Sequence, residues 1–340
     1  MTRFERVDRI LQAACGMEFT AAVARIEHRG CLVFERAYGT TRADELARGV
    51  YADTIFDLAS LTKLFVATLA LRLVGEGRLA LDEPLSQIIP QWSRSPHRAI
   101  TARMLLAHTS GMNSGADYRA IVDENVEEFA LRSELVAEPG ERVIYSDLGF
   151  IALGVVLQRL RDRSLGAVAA RSFSSSAAYR PRAAQRLTIP ATEDDGWRGR
   201  VQGFVHDEKA YLMGGMAGHA GLFGTAADVA ALAESYLGVV QGRTPNGLPE
   251  TLVREAIAEQ AADPVLRRGL GWALKTTDEN SCGRYMDRSS FGHTGFVGTC
   301  IWADPRRDLQ GVLLTNAVYF GRNDTRDLRA AFFEAMVEAC

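Results

Sequence analysis

Strand-like segments stand near both ends of this 340-residue chain, and the middle is mostly helical in pattern. Two β-type runs at 22–28 and 31–38 are joined by a short glycine-containing turn, which predicts a hairpin. Near the other end, strand patterns at 291–303 and 309–316 flank a second turn. Strands that begin and end a chain are most simply paired in one sheet. The pattern therefore predicts one interwoven unit rather than two domains in tandem.

The helical middle begins with residues 60–74, which are apolar almost all round, as in a helix buried inside a larger domain. Residues 167–196 are rich in Ala, Ser, Arg and Pro with little apolar periodicity, and we interpret them as a long loop. Further helices are predicted at 4–14, 101–107, 125–137, 146–160 and 226–239, with a closing helix that places Leu328, Phe332 and Met336 on one face.

The predicted fold class is therefore α/β plus α, with an antiparallel sheet flanked by the terminal helices and a helical subdomain. The sheet part is expected at about 1–59 and 270–340, and the helical part at about 60–269, all within a single domain. The functional site is expected between the two parts.

Charge and composition exclude several classes of partner. The formal net charge is −3 without a long basic run, so nucleic acid is not an expected partner. The most apolar stretch, 64–74, is broken by Arg72 and is too short to span a bilayer. The charged start of the chain lacks the apolar core of a secretory signal. Five cysteines without paired C-x-x-C spacing favour reduced thiols and a cytoplasmic location. The oligomeric state is not indicated.

One candidate for chemistry is Ser60, one helical turn before Lys63 at a predicted helix start. A serine hydroxyl needs a base beside it to act as a nucleophile. Lys63 can reach the hydroxyl, and the N–H of Ser60 points out of the helix end, where an oxyanion can form. The alternative is an ordinary cap with a solvated lysine, which is the commoner meaning of this spacing when it stands alone.

Two further short motifs follow. Tyr145 and Asp147 stand at a loop-to-helix junction, where a tyrosine can move a proton if cations are near. His293-Thr294-Gly295 lies in a predicted strand, where a glycine lets a ligand approach the backbone. The plainer alternatives are a half-buried tyrosine beside a capping residue and a structural strand glycine with a hydrogen-bonded histidine.

The order S-x-x-K, Y-x-[ND] and [KH]-T-G resembles the serine β-lactamase and penicillin-binding protein family, in particular its class C-like branch with esterases and D-amino-acid peptidases. The likeness extends to the flanking segments 56–59, 77–82 and 105–112. Segments 205–210 and 214–223 are similar to a narrower branch that includes an exo-acting N-acetylmuramoyl-L-alanine amidase.

The resemblance implies Ser60 as the nucleophile and Lys63 with Tyr145 as the general-base pair. It also implies an oxyanion hole made by the N–H groups of Ser60 and Phe296. Asp147, His293, Thr294 and Gly295 are expected to bind substrate. His206 and His219 are expected to line the cleft, although buried histidines that only satisfy backbone groups explain them equally well. With Asp207 they fit no standard metal-site spacing, so neither a metal nor a cofactor is expected.

Two positions depart from the family pattern. His293 stands where the family has Lys, and a mostly neutral imidazole attracts a substrate carboxylate less than an ammonium does. Asp147 stands where the family has Asn, and an ionised carboxylate only accepts hydrogen bonds. A weak β-lactamase at most is expected, with a smaller deficit at lower pH if His293 gains charge.

The predicted function is hydrolysis of a small-molecule ester or amide, including a muropeptide, through an acyl-enzyme on Ser60. Two alternatives remain open: an acyltransferase in which a second substrate replaces water, and a non-catalytic sensor of peptidoglycan fragments.

Overall fold

The two ends of the chain meet in one sheet. The computed structural model describes residues 3–115, 117–173, 176–243, 247–262 and 267–340. Its strands are β1 (Ala21–His28), β2 (Cys31–Gly39), β3 (Phe56–Asp57), β4 (Ala178–Tyr179), β5 (Asp194–Asp195), β6 (Gly199–Arg200), β7 (Leu222–Gly224), β8 (Ala261–Ala262), β9 (Arg267–Arg268), β10 (Ala273–Leu274), β11 (Phe291–Thr294), β12 (Cys300–Asp304) and β13 (Leu309–Thr315). Eight of them form an antiparallel sheet in the order β2-β1-β13-β12-β11-β10-β9-β8.

The pairing of β1 with β13 joins the beginning of the chain to its end, with Ala22 opposite Thr315 and His28 opposite Leu309. The hairpin of β1 and β2 then forms the outer edge of the sheet. Because residues almost 300 positions apart share one ladder, neither end can form this sheet without the other. The single interwoven unit predicted from the sequence stays a prediction as a statement about domains, and this pairing supports it.

Helices lie on both faces of the sheet and in the middle of the chain. The helices among the described residues are α1 (Glu5–Ala14), α2 (Thr62–Gly75), α3 (Ala102–Leu106), α4 (Val126–Arg132), α5 (Asp147–Arg161), α6 (Leu165–Ser172), α7 (Glu208–Leu212), α8 (Ala226–Val240), α9 (Glu250–Ala256) and α10 (Arg326–Ala339). The terminal helices α1 and α10 bury Leu11, Phe332 and Phe333 against one face. On the other face, α8 packs against β1, β12 and β13. The larger hydrophobic core extends from α8 to α2 and α5.

Helix α2 is surrounded by other elements, and even Lys63 and Thr68 on it are buried. This burial accounts for its nearly uniform apolar sequence. Ser146 is the N-cap of helix α5, because its hydroxyl accepts a hydrogen bond from the Gly149 N–H at 2.8 Å. None of the helices within the described ranges is both long and apolar enough to cross a bilayer.

Three sequence-based boundaries are wrong. The predicted strand 291–303 is two strands, because Gly295 donates to the Thr299 carbonyl at 2.7 Å and closes a tight turn between them. The predicted loop 167–196 begins inside α6, whose apolar face is made of Leu165, Val168 and Ala169. It also contains strands β4 and β5 and a 3₁₀ helix at Ala183–Thr188, while residues 174 and 175 lie outside the described part.

Strands β8 and β9 lie just before residue 270 and pair within the main sheet, and the division into a sheet part and a helical part stays a prediction. The third boundary is the end of the helix that was expected at 125–137. Helix α4 ends at Arg132, because the chain turns extended at Ser133, whose φ and ψ are −57° and 144°.

Candidate active site

Ser60 lies in a 3₁₀ turn, Ala59–Leu61, that leads directly into α2. The residue before it, Ala59, has a φ of +46°, a left-handed conformation that costs roughly 1–2 kcal/mol for a residue with a side chain. Asp57 holds this turn, because its Oδ1 accepts from the Ala59 N–H at 2.8 Å and its Oδ2 accepts from the His206 N–H at 2.7 Å. The serine is therefore presented on a strained and tightly held turn.

Lys63 is completely buried below Ser60, and each of its three ammonium protons has an acceptor. The acceptors are Ser60 Oγ at 3.0 Å, Asp147 Oδ1 at 2.9 Å and the His219 carbonyl at 3.1 Å. Burial alone would lower the pKa of Lys63, but the charges of Asp147 and Tyr145 outweigh it and raise the pKa above the ordinary lysine value. Lys63 is therefore an ammonium group.

Asp147 begins α5 and lies between two lysines. Its Oδ1 faces Lys63, and its Oδ2 lies 3.3 Å from the Lys209 ammonium. Burial opposes ionisation, but these cations hold the pKa of Asp147 below its usual value. Behind Lys209, Asp207 is paired with His219 at 2.7 Å. Four ionisable side chains and Lys63 thus form one buried network beneath the nucleophile.

Tyr145 lies against three side chains that enclose its ring. The Lys63 ammonium is 4.9 Å from the ring centroid, and the guanidinium carbon of Arg268 is 5.4 Å from it. The His108 ring packs against it at 4.7 Å between centroids. His108 Nδ1 accepts a hydrogen bond from the Ser146 N–H at 3.0 Å, and burial lowers the pKa of His108 well below its usual value. A neutral histidine and two cations therefore surround the tyrosine.

The segment from His293 to Phe296 forms the opposite wall. His293 donates from Nδ1 to the Thr294 carbonyl at 2.8 Å and is almost fully buried. Burial lowers the pKa of His293 to about 3, and the charges of Arg268 and Lys63 act in the same direction. The imidazole that the sequence predicts to be mostly neutral is thus neutral well into the acid range, so the gain of charge on which the smaller deficit at lower pH depended is not expected in mildly acidic solution.

Gly295 allows this wall to approach the nucleophile turn. A Cβ on Gly295 would lie 2.1 Å from Thr299 Oγ1 and 2.9 Å from the Leu58 carbonyl, so no side chain fits there. Thr299 Oγ1 itself donates to the Leu58 carbonyl at 3.2 Å. Within the described part of the chain, neither the Ser60 N–H nor the Phe296 N–H has a hydrogen-bond acceptor. Two donors are thus available beside the nucleophile.

A cleft of about 580 Å³ opens over these residues. Ser60, Tyr145, His293, Thr294, Gly295 and Phe296 line it. Among the described residues, Asp147, His206 and His219 do not line it. The Asp147 oxygens face Lys63 and Lys209, the His219 carbonyl faces Lys63, and the His206 ring stacks on Phe296 with centroids 5.6 Å apart. His206 therefore supports the wall at Phe296, and Asp147 and His219 hold Lys63 beneath the nucleophile.

A family model described as Beta-lactamase matches residues 9–335. The chain belongs to this family. The resemblance drawn from the three motifs is thereby confirmed, and so is the prediction of an enzyme of the serine hydrolase class.

The relatives in the beta-lactamase family are named for different activities. The chain is 29% identical to an N-acetylmuramyl-L-alanine amidase of Bacillus subtilis (strain 168) over 364 residues, covering 92% of this chain and 81% of the relative. It is 29% identical to esterase EstB of Burkholderia gladioli over 368 residues, covering 93% and 91%. The solved structure of EstCE1, a hydrolase with promiscuous acyltransferase activity, matches with a TM-score of 0.79 at 20% identity, covering 98% of each chain. The predicted fold class is confirmed.

Several residues of this beta-lactamase family site were missed by the sequence analysis. Lys209 was included only within the segment 205–210, and Arg268 and Arg322 were not among the candidate site residues. No local pattern marks the two arginines, because they reach the cleft from the far edge of the sheet and from the loop before α10. Only the spacing of Lys209 two residues after Asp207 hinted at a charged pair.

Asp147, Asp207 and His219 could supply three metal-ligand atoms within 4.8 Å of one another. Two ammonium groups already lie against these carboxylates, Lys63 at 2.9 Å and Lys209 at 3.3 Å from Asp147. A divalent cation at this position would have to displace the two ammonium groups or be repelled by them. The donor set therefore fits a network of ion pairs better than a metal site.

Proposed function

We propose that this protein hydrolyses a small ester or amide through a covalent acyl-enzyme on Ser60. The observation that carries the proposal is the contact between Lys63 and Ser60, 3.0 Å, within a network that keeps Lys63 charged. A buried ammonium that touches the nucleophile and an adjacent tyrosine favours the anionic forms of both. The amidase and esterase names of the relatives support an ester or amide as the substrate.

In the proposed reaction, Tyr145 starts as a phenolate stabilised by the Lys63 ammonium, and its oxygen takes the hydroxyl proton of Ser60 as Ser60 Oγ attacks the substrate carbonyl carbon. The carbonyl oxygen becomes an oxyanion and takes hydrogen bonds from the N–H groups of Ser60 and Phe296. Tyr145 then returns the proton to the leaving alcohol or amine, and the acyl group stays on Ser60. A water molecule repeats the sequence: Tyr145 takes its proton, the hydroxide attacks the ester, and Ser60 Oγ leaves with that proton. Lys63 remains charged throughout.

Two positions of the site, Asp147 and His293, bear on the turnover of β-lactams. Asp147 does not face the cleft, so it is not positioned to repel a substrate carbonyl. His293 stays neutral, so its weak attraction for a penicillin carboxylate is a reason that still stands. Weak β-lactamase activity stays a prediction, and we expect the deficit relative to simple esters to be the same at pH 5.5 and pH 7.

Labelling with a fluorophosphonate, followed by peptide mapping, tests the nucleophile. The expected result is a single adduct on Ser60 and loss of labelling and turnover in Ser60→Ala. Ser93→Ala, at an exposed position that does not line the cleft, is the matched control and should behave as the unchanged protein. An adduct elsewhere, or turnover by Ser60→Ala, would contradict the proposal. An absence of any adduct with intact folding would favour the non-catalytic sensor.

Turnover of p-nitrophenyl esters, a chromogenic cephalosporin, D-Ala-D-Ala peptides and muramoyl peptides then identifies the substrate class. Repeating the assay with an added alcohol or amine, and analysing the products, separates hydrolysis from acyl transfer. Hydrolysis alone at high acceptor concentration would exclude the acyltransferase.

The cytoplasmic location predicted from the sequence stays a prediction and would suit the turnover of imported wall fragments.

A further inference from the structure

Arg329 of helix α10 is a buried positive charge at the edge of the cleft above Ser60. The residue is only 8% exposed, and burial lowers its pKa, although a guanidinium stays charged in proteins. Among the described residues, Arg329 takes part in no ion pair, and its Nε is buried without a hydrogen-bond partner. The charge of Asp324 acts on it only from beyond ion-pair distance. Burying a charge in this way costs free energy, so the stability of α10 alone does not explain Arg329.

The side chain of Arg329 donates a hydrogen bond to the turn between β11 and β12. Its Nη2 lies 2.7 Å from the Gly295 carbonyl oxygen, and the same oxygen accepts from the Gly298 N–H at 3.1 Å. This carbonyl belongs to the peptide group that also contains the N–H of Phe296. A trans peptide group is planar, and its C=O and N–H point in opposite directions. A contact that fixes the carbonyl therefore also fixes the direction of the Phe296 N–H.

The other contacts of this turn hold the peptide group less directly. Gly295 has no side chain, so rotation about its backbone bonds is less restricted than in other residues. The Gly295 N–H donates to the Thr299 carbonyl, but it belongs to the preceding peptide group. The Phe296 ring contacts His206 and Arg322, yet it is 55% exposed, so burial of the ring does not hold the backbone. The direction of the Phe296 N–H thus depends mainly on the hydrogen bonds to the Gly295 carbonyl.

We infer that Arg329 is a positioning residue, which directs the Phe296 N–H at the oxyanion and makes it a stronger hydrogen-bond donor. The inference rests on the proposed hydrolase function, because it concerns the transition state of that reaction. A guanidinium that donates to an amide oxygen polarises the amide, and the N–H of the same amide becomes a stronger donor. Positive charge at one end of the peptide group thus stabilises the negative charge that develops at the other end. Arg329 acts through the peptide group and does not need to touch the substrate.

The test compares two uncharged esters that differ only in the atom that becomes the oxyanion. They are p-nitrophenyl acetate and its thiono analogue, in which a sulphur atom replaces the carbonyl oxygen. Sulphur is a weak hydrogen-bond acceptor, so an oxyanion hole favours the oxygen ester. The measured quantity is the ratio of kcat/KM for the oxygen ester to kcat/KM for the thiono ester, after subtraction of spontaneous hydrolysis. General damage to the fold lowers both values and leaves the ratio unchanged.

Arg329→Met removes the guanidinium and keeps an unbranched side chain. The ratio should fall by about tenfold or more, which is part of the roughly 100- to 1,000-fold loss that removal of a whole oxyanion donor causes. Arg329→Lys keeps the charge but not the planar fork, so an intermediate ratio is expected. The lysine variant also provides the test if the methionine variant does not fold. Arg326→Gln, which removes an exposed arginine from the same helix, is the matched control and should leave the ratio unchanged.

A second measurement uses phenylboronic acid, which forms a tetrahedral adduct with a serine hydroxyl and places an oxygen where the oxyanion forms. A compound that resembles the transition state loses the same interactions as the transition state does. The inhibition constant of phenylboronic acid should therefore rise in Arg329→Met by about the factor by which the ester ratio falls.

Two results would overturn the inference: an ester ratio that is the same in both Arg329 variants and the unchanged enzyme, or an inhibition constant of phenylboronic acid that neither variant alters. In both cases hydrolysis through Ser60 would still stand. Absence of hydrolysis of any ester or amide by the unchanged enzyme, with no adduct on Ser60, would instead refute the proposed function.

Discussion

Replacing Asp147 with Asn removes the negative charge that lies between two buried lysines. The carboxylate is 2.9 Å from the Lys63 ammonium and 3.3 Å from the Lys209 ammonium. Asn keeps an oxygen that can accept from Lys63, so the change is mainly one of charge. The two ammonium groups would then face each other without a carboxylate between them, and both effects favour the loss of a proton from Lys63.

The distance sets the size of the effect. A charge pair at 2.9 Å is worth about 1.4 kcal/mol in a medium as polar as water and about 6 kcal/mol at an effective dielectric constant of about 20. With about 1.4 kcal/mol for each pKa unit, the pKa of Lys63 should fall by about 1 to 4 units. Lys63 is completely buried, so the upper half of this range applies. A pKa above the ordinary lysine value would then move into the range of an ordinary pH profile.

The proposed mechanism needs a charged Lys63, so activity should be lost, and not gained, when Lys63 loses its proton. In the unchanged enzyme, kcat/KM for a neutral p-nitrophenyl ester should show no alkaline loss due to Lys63 below about pH 10. In Asp147→Asn, activity should fall as pH rises, with an alkaline midpoint about 2 to 4 pH units lower than that of the unchanged enzyme. Thermal melting at each pH checks that the variant stays folded. Asp123→Asn, at an exposed loop position, is the matched control and should not alter the profile.

Two outcomes would refute this reasoning. A profile of Asp147→Asn that superimposes on that of the unchanged enzyme would show that Asp147 does not control the charge of Lys63. A variant that is more active at neutral pH would show that neutral Lys63 is the base, and the role of Tyr145 would then have to be abandoned.

Three further changes test other parts of the site. Tyr145→Phe should lower kcat/KM by at least about 100-fold, the loss expected for a general base, and a near-normal rate would rule Tyr145 out. Gly295→Ala should reduce both activity and melting temperature, because its Cβ would lie 2.1 Å from Thr299 Oγ1, whereas Gly196→Ala, where nothing lies within 4 Å, should reduce neither; equal behaviour would contradict the close packing. His293→Asn should remove part of the acid sensitivity of folding. The folded pKa of His293 is about 3 and the reference value is 6.5, so the unfolded chain binds more protons between these values and stability falls as pH is lowered through that window. The unchanged protein should lose about 2–3 kcal/mol more than the variant between pH 6.5 and 4.5 in urea unfolding, and an equal loss would contradict a buried neutral histidine.

The sequence allowed the chemical parts of this protein to be predicted where a local pattern carries them. Helices α2 and α5 begin and end within two residues of the periodic patterns at 60–74 and 146–160, because burial around a helix and a serine cap leave direct marks in the sequence. The order of the three motifs, at 60–63, 145–147 and 293–295, was enough to indicate the family. Their individual catalytic roles stay predictions.

Local patterns were insufficient where a long-range contact or a small residue decides the structure. The turn between β11 and β12 depends on a backbone hydrogen bond within an otherwise apolar run, which periodicity does not reveal. Helix α6 is recognisable only once its apolar face packs against the core. Its sequence contains so much Ala, Ser and Arg that the apolar periodicity is weak. Strands β8 and β9 have two residues each and are recognisable only from their neighbours in the sheet.

The charges of the site were decided by the tertiary structure alone. The sequence indicates that position 147 is an aspartate, but only the fold places it between Lys63 and Lys209 and turns it away from the cleft. Likewise, a histidine at position 293 is neutral to about pH 3 because it is buried next to Arg268, which lies on another strand of the sheet. Electrostatic energies depend on distance and burial, and the chain acquires both only when its two ends pair and enclose the helices between them.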